Sequence, residues 1–257
     1  MTMLPISDPL FYLYAIPAVL IVGLSKGGFG GGIALIGVPL MSLAVSPIQA
    51  AGIMLPILLV MDAVGLLSYR HSFNKPVLFL MIPAGCVGIT IGWATAAYVT
   101  ADHVRLIVGV VSLAFVLNHW LGSASLDGKS KENKLLGGFW GMVAGFTSFV
   151  SHSGGPPYQM YTLKLGMQPV LYAGTSVVFF AAINAVKVIP YFFLGQFDTT
   201  NLATSAALMP LAPLATYAGV RIVRVIDQTL FYRITYIGVF FVALKLIWDG
   251  LVGLGYF

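Results

Sequence analysis

The sequence predicts an all-α, polytopic membrane protein built of two inverted repeats, each a broken or re-entrant helical hairpin followed by three transmembrane helices. Three observations carry this expectation: a very apolar composition, apolar runs of spanning length, and a self-match at a fixed offset. Of 257 residues, 59% are apolar, and only 13 Lys/Arg and 8 Asp/Glu interrupt them. That charged fraction, 8%, is about a third of the globular norm and too small to cover a water-soluble surface. A cytosolic enzyme is ruled out, and the chain is placed in a lipid bilayer. The net charge of +5 is scattered and forms no stripe that could follow a phosphate backbone, so no nucleic-acid partner is expected.

A spanning helix needs roughly 20 residues. Stretches 50–69, 77–99, 104–121, 170–194, 201–219 and 229–248 reach or approach that length. Two regions differ. Runs 10–24 and 33–45 are short and flank the glycine string after Lys26, while runs 135–147 and 156–166 flank Ser148 to Gly155. Strands of a barrel would alternate in polarity over about ten residues, and no such alternation is present. The single cysteine, Cys86, lies in an apolar run and reads as a small buried hydrophobe. No Lys or Arg precedes Lys26, so the first apolar stretch lacks the charged start of a signal peptide and is expected to be retained.

Sliding the chain by 122 residues lays Gly23 on Gly145, Gly32 on Gly154, Pro47 on Pro169, Ala51 on Ala173, Gly52 on Gly174 and Tyr69 on Tyr191. The same shift lays Asp62 over Asn184. Residues 1–121 then form the first repeat and 135–257 the second, with the polar stretch 122–134 as a cytoplasmic linker. If each hairpin enters and leaves on one side, Arg70, Lys75, Lys129, Lys131, Lys134, Lys164, Arg221 and Arg224 share a face, and only Arg105 lies opposite. If each hairpin is instead one broken crossing, that bias nearly vanishes. The tendency of cytoplasmic loops to collect Lys and Arg favours the first arrangement, hence inverted halves with both termini outside. Re-entrant hairpins and pairs of short tilted crossings both satisfy it.

Non-helical backbone inside a membrane is tolerated where protein buries it or a wet cavity borders it. Two such breaks from inverted halves would meet near the midplane, with helix amino ends aimed at a common anion site. The first break offers Ser25, Lys26, Gly27, Gly28 and Gly30, and the second offers Ser148, Ser151, His152, Ser153 and Gly154. Pro156 and Pro157 suit the first turn of the helix that follows. Gly23-xxx-Gly27 and Gly28-xxx-Gly32 also match close helix packing. Lys26 has an alternative as an interfacial anchor, and His152 has one as a structural hydrogen-bonding residue. The glycine run lacks nucleotide-binding spacing, and no ATP-binding motif is present.

Asp62, Asn184 and Lys187 interrupt full-length apolar runs, and charges at such depth usually face a partner or a cavity. Asn184 and Lys187 share a helical face. Asp62 and Lys187 read either as an ion pair between related helices or as a proton-titrating acid and an anion-attracting lysine. Lys245, beside Trp248 and Asp249, reads as an interfacial anchor. His152 and its serines lack a local acidic partner, so a hydrolytic triad is a weak alternative. The scattered acids and histidines make no metal set, and no cofactor is expected.

Gly23-Leu-Ser-Lys-Gly-Gly-Phe-Gly-Gly-Gly-Ile-Ala-Leu-Ile-Gly-Val-Pro39 resembles the opening signature of the sulfite exporter TauE/SafE family of membrane transporters. Pro47-Ile-Gln-Ala-Ala-Gly52 fits the same pattern. Ser151-His-Ser-Gly-Gly-Pro-Pro157 resembles the family's second unit and departs from its glycine-rich form at His152-Ser153. The resemblance covers essentially the whole chain. It implies transport of a small sulfur oxyanion or organosulfonate, such as sulfite or sulfoacetate, across the bacterial inner membrane. The site expected from the two breaks and the deep polar residues comprises Ser25, Lys26, Gly27, Gly28, Gly30, Ser151, His152, Ser153, Gly154, Asn184 and Lys187. The resemblance fixes neither direction nor coupling ion; Asp62 and His152 are the residues that offer proton coupling, with Asp62 the coupling candidate. A passive anion channel and an intramembrane enzyme using His152 with a serine are the alternatives; the oligomeric state is not legible.

Overall fold

A computed structural model describes residues 4–30, 33–96, 98–121 and 133–256. They form α1 (Pro9–Lys26), a 3-10 turn (Ile33–Ile36), α2 (Gly37–Met41), α3 (Pro47–Tyr69), α4 (Lys75–Ala94), α5 (Ala101–Leu121) and α6 (Lys134–Ser151). There follow α7 (Gly155–Thr162), a 3-10 turn (Leu163–Leu165), α8 (Pro169–Phe193), α9 (Thr199–Leu208), α10 (Leu211–Val225) and α11 (Gln228–Gly253). No strand occurs among the described residues. Six helices are long and apolar enough to cross a membrane, and the bent pair α9–α10 would add a seventh. Leu67, Phe79, Ile107, Phe192 and Phe241 are each more than half exposed, as side chains against lipid are. The expected linker falls almost wholly on 122–132, outside the described residues.

Helix starts follow the chain's own punctuation. Asp8, Ser46, Asn74, Asn133, Asp198 and Asp227 each accept a backbone N–H with the side chain, and Pro9, Pro47 and Pro76 sit in first turns. Such caps satisfy donors that the helix leaves free, and proline there removes a donor with no partner to lose. Two lengths depart from the sequence expectation. The first hairpin arm extends to Lys26, giving 18 residues or about 27 Å of helix, and α6 likewise reaches Ser151. Both continue because the polar residues at their ends find buried partners inside the bundle. The run 201–219, expected as one helix, breaks at Met209-Pro210 with a 47° bend, since proline lacks the N–H and crowds the preceding turn.

Glycines set the closest packing. A Cβ on Gly145 would lie 2.0 Å from the Gly85 carbonyl, and one on Gly27 would lie 2.4 Å from the Thr216 carbonyl. Thus α6 packs on α4 and α1 on α10, while α3 packs on α8 and α5 on α11. Residues after the first break run back beside α1: the Ala34 amide donates to Ser25 Oγ at 3.1 Å, and Gly37 abuts Val22. The second hairpin folds back as α7, whose every residue is buried.

The two ends of the bundle are distinct. Pro47, Ala96, Ala101, Arg105 and Gln196 gather at one end around a cavity. At the other, Arg224 donates to the Ser68 carbonyl, the Asn74 amide to Thr175 Oγ1 and Gln228 to the Gly166 carbonyl.

Candidate functional site

Polar side chains from four helices converge in the apolar interior. Lys26 closes α1, Asp62 comes from the middle of α3, Asn184 and Lys187 come from α8, and Ser148 from α6. All five are buried. Lys26 Nζ forms an ion pair with Asp62 Oδ1, and Asn184 Nδ2 donates to Asp62 Oδ2 at 2.7 Å. Both carboxylate oxygens are therefore engaged. Lys187 Nζ donates to the Ser148 carbonyl and to Ser148 Oγ, each at 3.2 Å. The acid thus pairs with Lys26 rather than Lys187, because α1 rather than α8 presents its cation to that oxygen. Lys187 has neutral acceptors only. A buried cation without a counter-charge costs several kcal/mol, which makes its surroundings informative.

Those surroundings include a cavity of about 50 Å3, lined on its polar side by Lys26, Ser148, His152, Gly154, Gly155, Asn184 and Lys187. Met54, Leu58 and Phe180 add apolar lining, and Lys26 Nζ lies 5.9 Å from the Phe180 ring centre. The α7 amino end at Gly155 adds the positive end of a helix dipole. Asp62 does not line the cavity.

A second cavity of about 230 Å3 runs from Arg105 and Gln196 at the bundle end inward to Phe149, Ser151, His152 and Tyr191. His152 and Val38 line both spaces, so these two residues stand between the outer cavity and the inner one. That histidine caps α6 with φ +53°, a left-handed conformation uncommon for residues other than glycine. Its Nε2 stands 2.6 Å from the Tyr191 hydroxyl. Ser151 and Ser153 bond to each other and to backbone carbonyls. They border a space of about 10 Å3 beside Arg105 and Lys245, not the Lys187 cavity. Neither serine engages the His152 ring, so the pair lacks the contact that would activate a nucleophile.

Toward the opposite end, described residues of the first tip are held by hydrogen bonds and stacking. The Tyr69 hydroxyl donates to the Gly27 carbonyl at 2.7 Å, and Gln159 Nε2 donates to the Phe29 carbonyl at 3.1 Å. Phe29 stacks on Phe231 with ring centres 5.7 Å apart.

Of the residues expected from sequence, Lys26, His152, Gly154, Asn184 and Lys187 share the central cavity wall. Ser25 is buried behind it, holding the Ala34 amide. Gly27 packs on α10, Gly28 on Val223, and Gly30 with φ +69° on Tyr172. Arg105 pairs with Asp102 at 2.7 Å, and Lys245 pairs with Asp249 one turn on. Sequence reasoning missed Phe180, which gave no signal, and Tyr191, which the 122-residue register had already set against Tyr69. Among the described residues no three His, Cys, Asp or Glu side chains gather as a metal set.

The family model described as Sulfite exporter TauE/SafE matches residues 15–246, nearly the whole chain. No curated protein and no solved structure matches.

Proposed function

We propose that this chain, which belongs to the sulfite exporter TauE/SafE family, is a secondary transporter that moves a small sulfur oxyanion or organosulfonate across the inner membrane. The observation that carries the reading is Lys187: a buried lysine with no carboxylate hydrogen-bonded to its Nζ, on the wall of a small cavity between two hairpin ends. An oxyanion there supplies the missing charge, and its remaining oxygens meet Asn184, Ser148 and the backbone at the start of α7. The fit is to a solute of a few heavy atoms.

The halves are inverted repeats in this reading. Its support is that Asp62 and Asn184, 122 residues apart, bond to each other, and that α3 packs on α8 and α5 on α11. Mate helices then face one another across an axis through the site. The end rich in Lys and Arg is cytoplasmic, so the large cavity opens outside and both termini lie outside. A cavity at one end and a hydrogen-bonded tip at the other support alternating access over a channel, which needs both ends open at once.

Asp62 is the coupling group. Its carboxylate competes with a bound anion for Lys26, and a proton arriving with the anion keeps the site's charge constant. The reading is tested by flux into liposomes with sulfite, thiosulfate and simple sulfonates. Saturable flux lost in Lys187→Met supports it. Linear flux, or a Lys187→Met variant that transports like the parent protein, overturns it.

A further inference from the structure

Beyond the lysine cavity, on the side away from the outer vestibule, lies a second polar cluster. Tyr158 and Gln159 from α7 and Tyr172 from α8 are at most 1% exposed. The Tyr158 hydroxyl, the Tyr172 hydroxyl and Gln159 Oε1 make no hydrogen bond of proper geometry. Thr162 and Ser176 are the nearest polar side chains to the Tyr158 hydroxyl, and Gln159 and Thr162 to that of Tyr172. Buried hydroxyls left in this state cost free energy that a purely apolar core would avoid, so each asks for a reason. Phenylalanine at both positions would fill the same space without that cost.

Their place on the path supplies the reason. Phe180 lines the lysine cavity on one side and contacts the Tyr158 ring on the other, with centres 5.3 Å apart. Tyr158 and Tyr172 follow with centres 6.2 Å apart. The first hairpin tip covers them: the Phe29 carbonyl occupies Gln159 Nε2, and a Cβ on Gly30 would lie 2.5 Å from the Tyr172 hydroxyl. Only a residue without a side chain fits there, so tip and phenol are in direct apposition. Withdrawal of the tip frees the Gln159 amide and uncovers two phenols together.

We infer that Tyr158, Gln159 and Tyr172 form a second anion station, separated from Lys187 by Phe180 and used when the first tip has moved aside. The inference rests on the transport reading above and extends it. Three uncharged donors hold an oxyanion through charge-assisted hydrogen bonds. Lacking a cation, they hold it more weakly than Lys187 does, which suits a site before release at the end away from Arg105. The station makes no contact with the anion while the lysine cavity is filled.

The test uses the full-length chain with both Tyr158→Phe and Tyr172→Phe. Sulfite affinity is measured by calorimetry on detergent-solubilised protein, and flux by radiolabelled sulfite in liposomes; thiosulfate replaces sulfite if it is the probe that saturates. The station predicts a dissociation constant within about twofold of the parent, a flux reduced about tenfold or more, and an unfolding midpoint unchanged or raised. Parental flux in the double variant overturns it. So does an affinity loss that matches the flux loss, or a flux loss accompanied by a fallen unfolding midpoint. Parent protein with no saturable flux of any probe removes the transport reading and the station together; parent flux with an indifferent double variant removes the station alone.

Discussion

The two hairpin tips occupy matching places in the sequence and do opposite things with polarity. The first ends on Lys26, which pairs inside the protein with Asp62, and Gly27, Gly28 and Gly30 lie against α10 and Tyr172. The second carries no charge of its own. It presents Ser148 to Lys187 of a neighbouring helix and places His152 between two cavities. Tyr69 and Tyr191, which coincide under the 122-residue shift, each hold one tip, through the Gly27 carbonyl and the His152 ring respectively. The lesson is a difference in pairing: the first tip's lysine meets a carboxylate, while the second tip offers only neutral acceptors to Lys187.

The largest effect is expected where the first pairing is broken. Asp62→Asn leaves Lys26 charged and buried without its carboxylate, which should cost about 3–5 kcal/mol of stability. Thermal unfolding in detergent measures this, and Lys26→Met added to Asp62→Asn should recover most of the loss. An Asp62→Asn protein as stable as the parent would show that Lys26 is not neutralised internally, and the contrast between the tips would fail.

Next comes the lysine that meets neutral acceptors. Lys187→Met removes a charge-assisted contact and should weaken anion binding about a hundredfold. The same change relieves a buried charge, so unfolding should not fall as it does in Asp62→Asn. The pairing of these two opposite outcomes sharpens the comparison more than either alone.

Packing at the first tip gives a smaller effect. Gly27→Ala forces a methyl against the Thr216 carbonyl and should destabilise by about 1–3 kcal/mol. The smallest change is Tyr191→Phe, which removes one hydrogen bond to His152 and should cost about 1 kcal/mol. It should loosen the second tip and alter flux kinetics, with equilibrium anion affinity nearly unchanged. An affinity loss as large as that of Lys187→Met would place Tyr191 in the binding site itself.

Much of the helical frame was legible because membranes leave few options. Runs of apolar residues, bounded by Ser46-Pro47, Asp8-Pro9 or Asn74, declare helices that must satisfy their own backbone. Pro210 was visible too, yet its bend was not assigned, since a proline is compatible with a gentle kink or a break until packing decides. The residues of the site were legible as types: Lys26, Asp62, Asn184 and Lys187 are costly in lipid and had to find partners. Which partner each chose was not. Asp62 pairs with Lys26 because of how α1 and α3 are rotated, and rotation is set by glycine contacts distributed over the bundle, not by local spacing. For the same reason the close contacts of Gly27 and Gly28 with α10 were not legible. Tyr158 and Tyr172 gave no signal at all, as aromatic residues in apolar helices are usually core.

The most direct measurement replaces sulfite by selenite and locates the selenium by anomalous diffraction from crystals of the full-length protein. The expected result is one dominant peak within hydrogen-bonding reach of Lys187 Nζ, between Ser148 and Asn184. A peak confined to the outer cavity beside Arg105, or selenium bound with Lys187 still held by Ser148 alone, would contradict it.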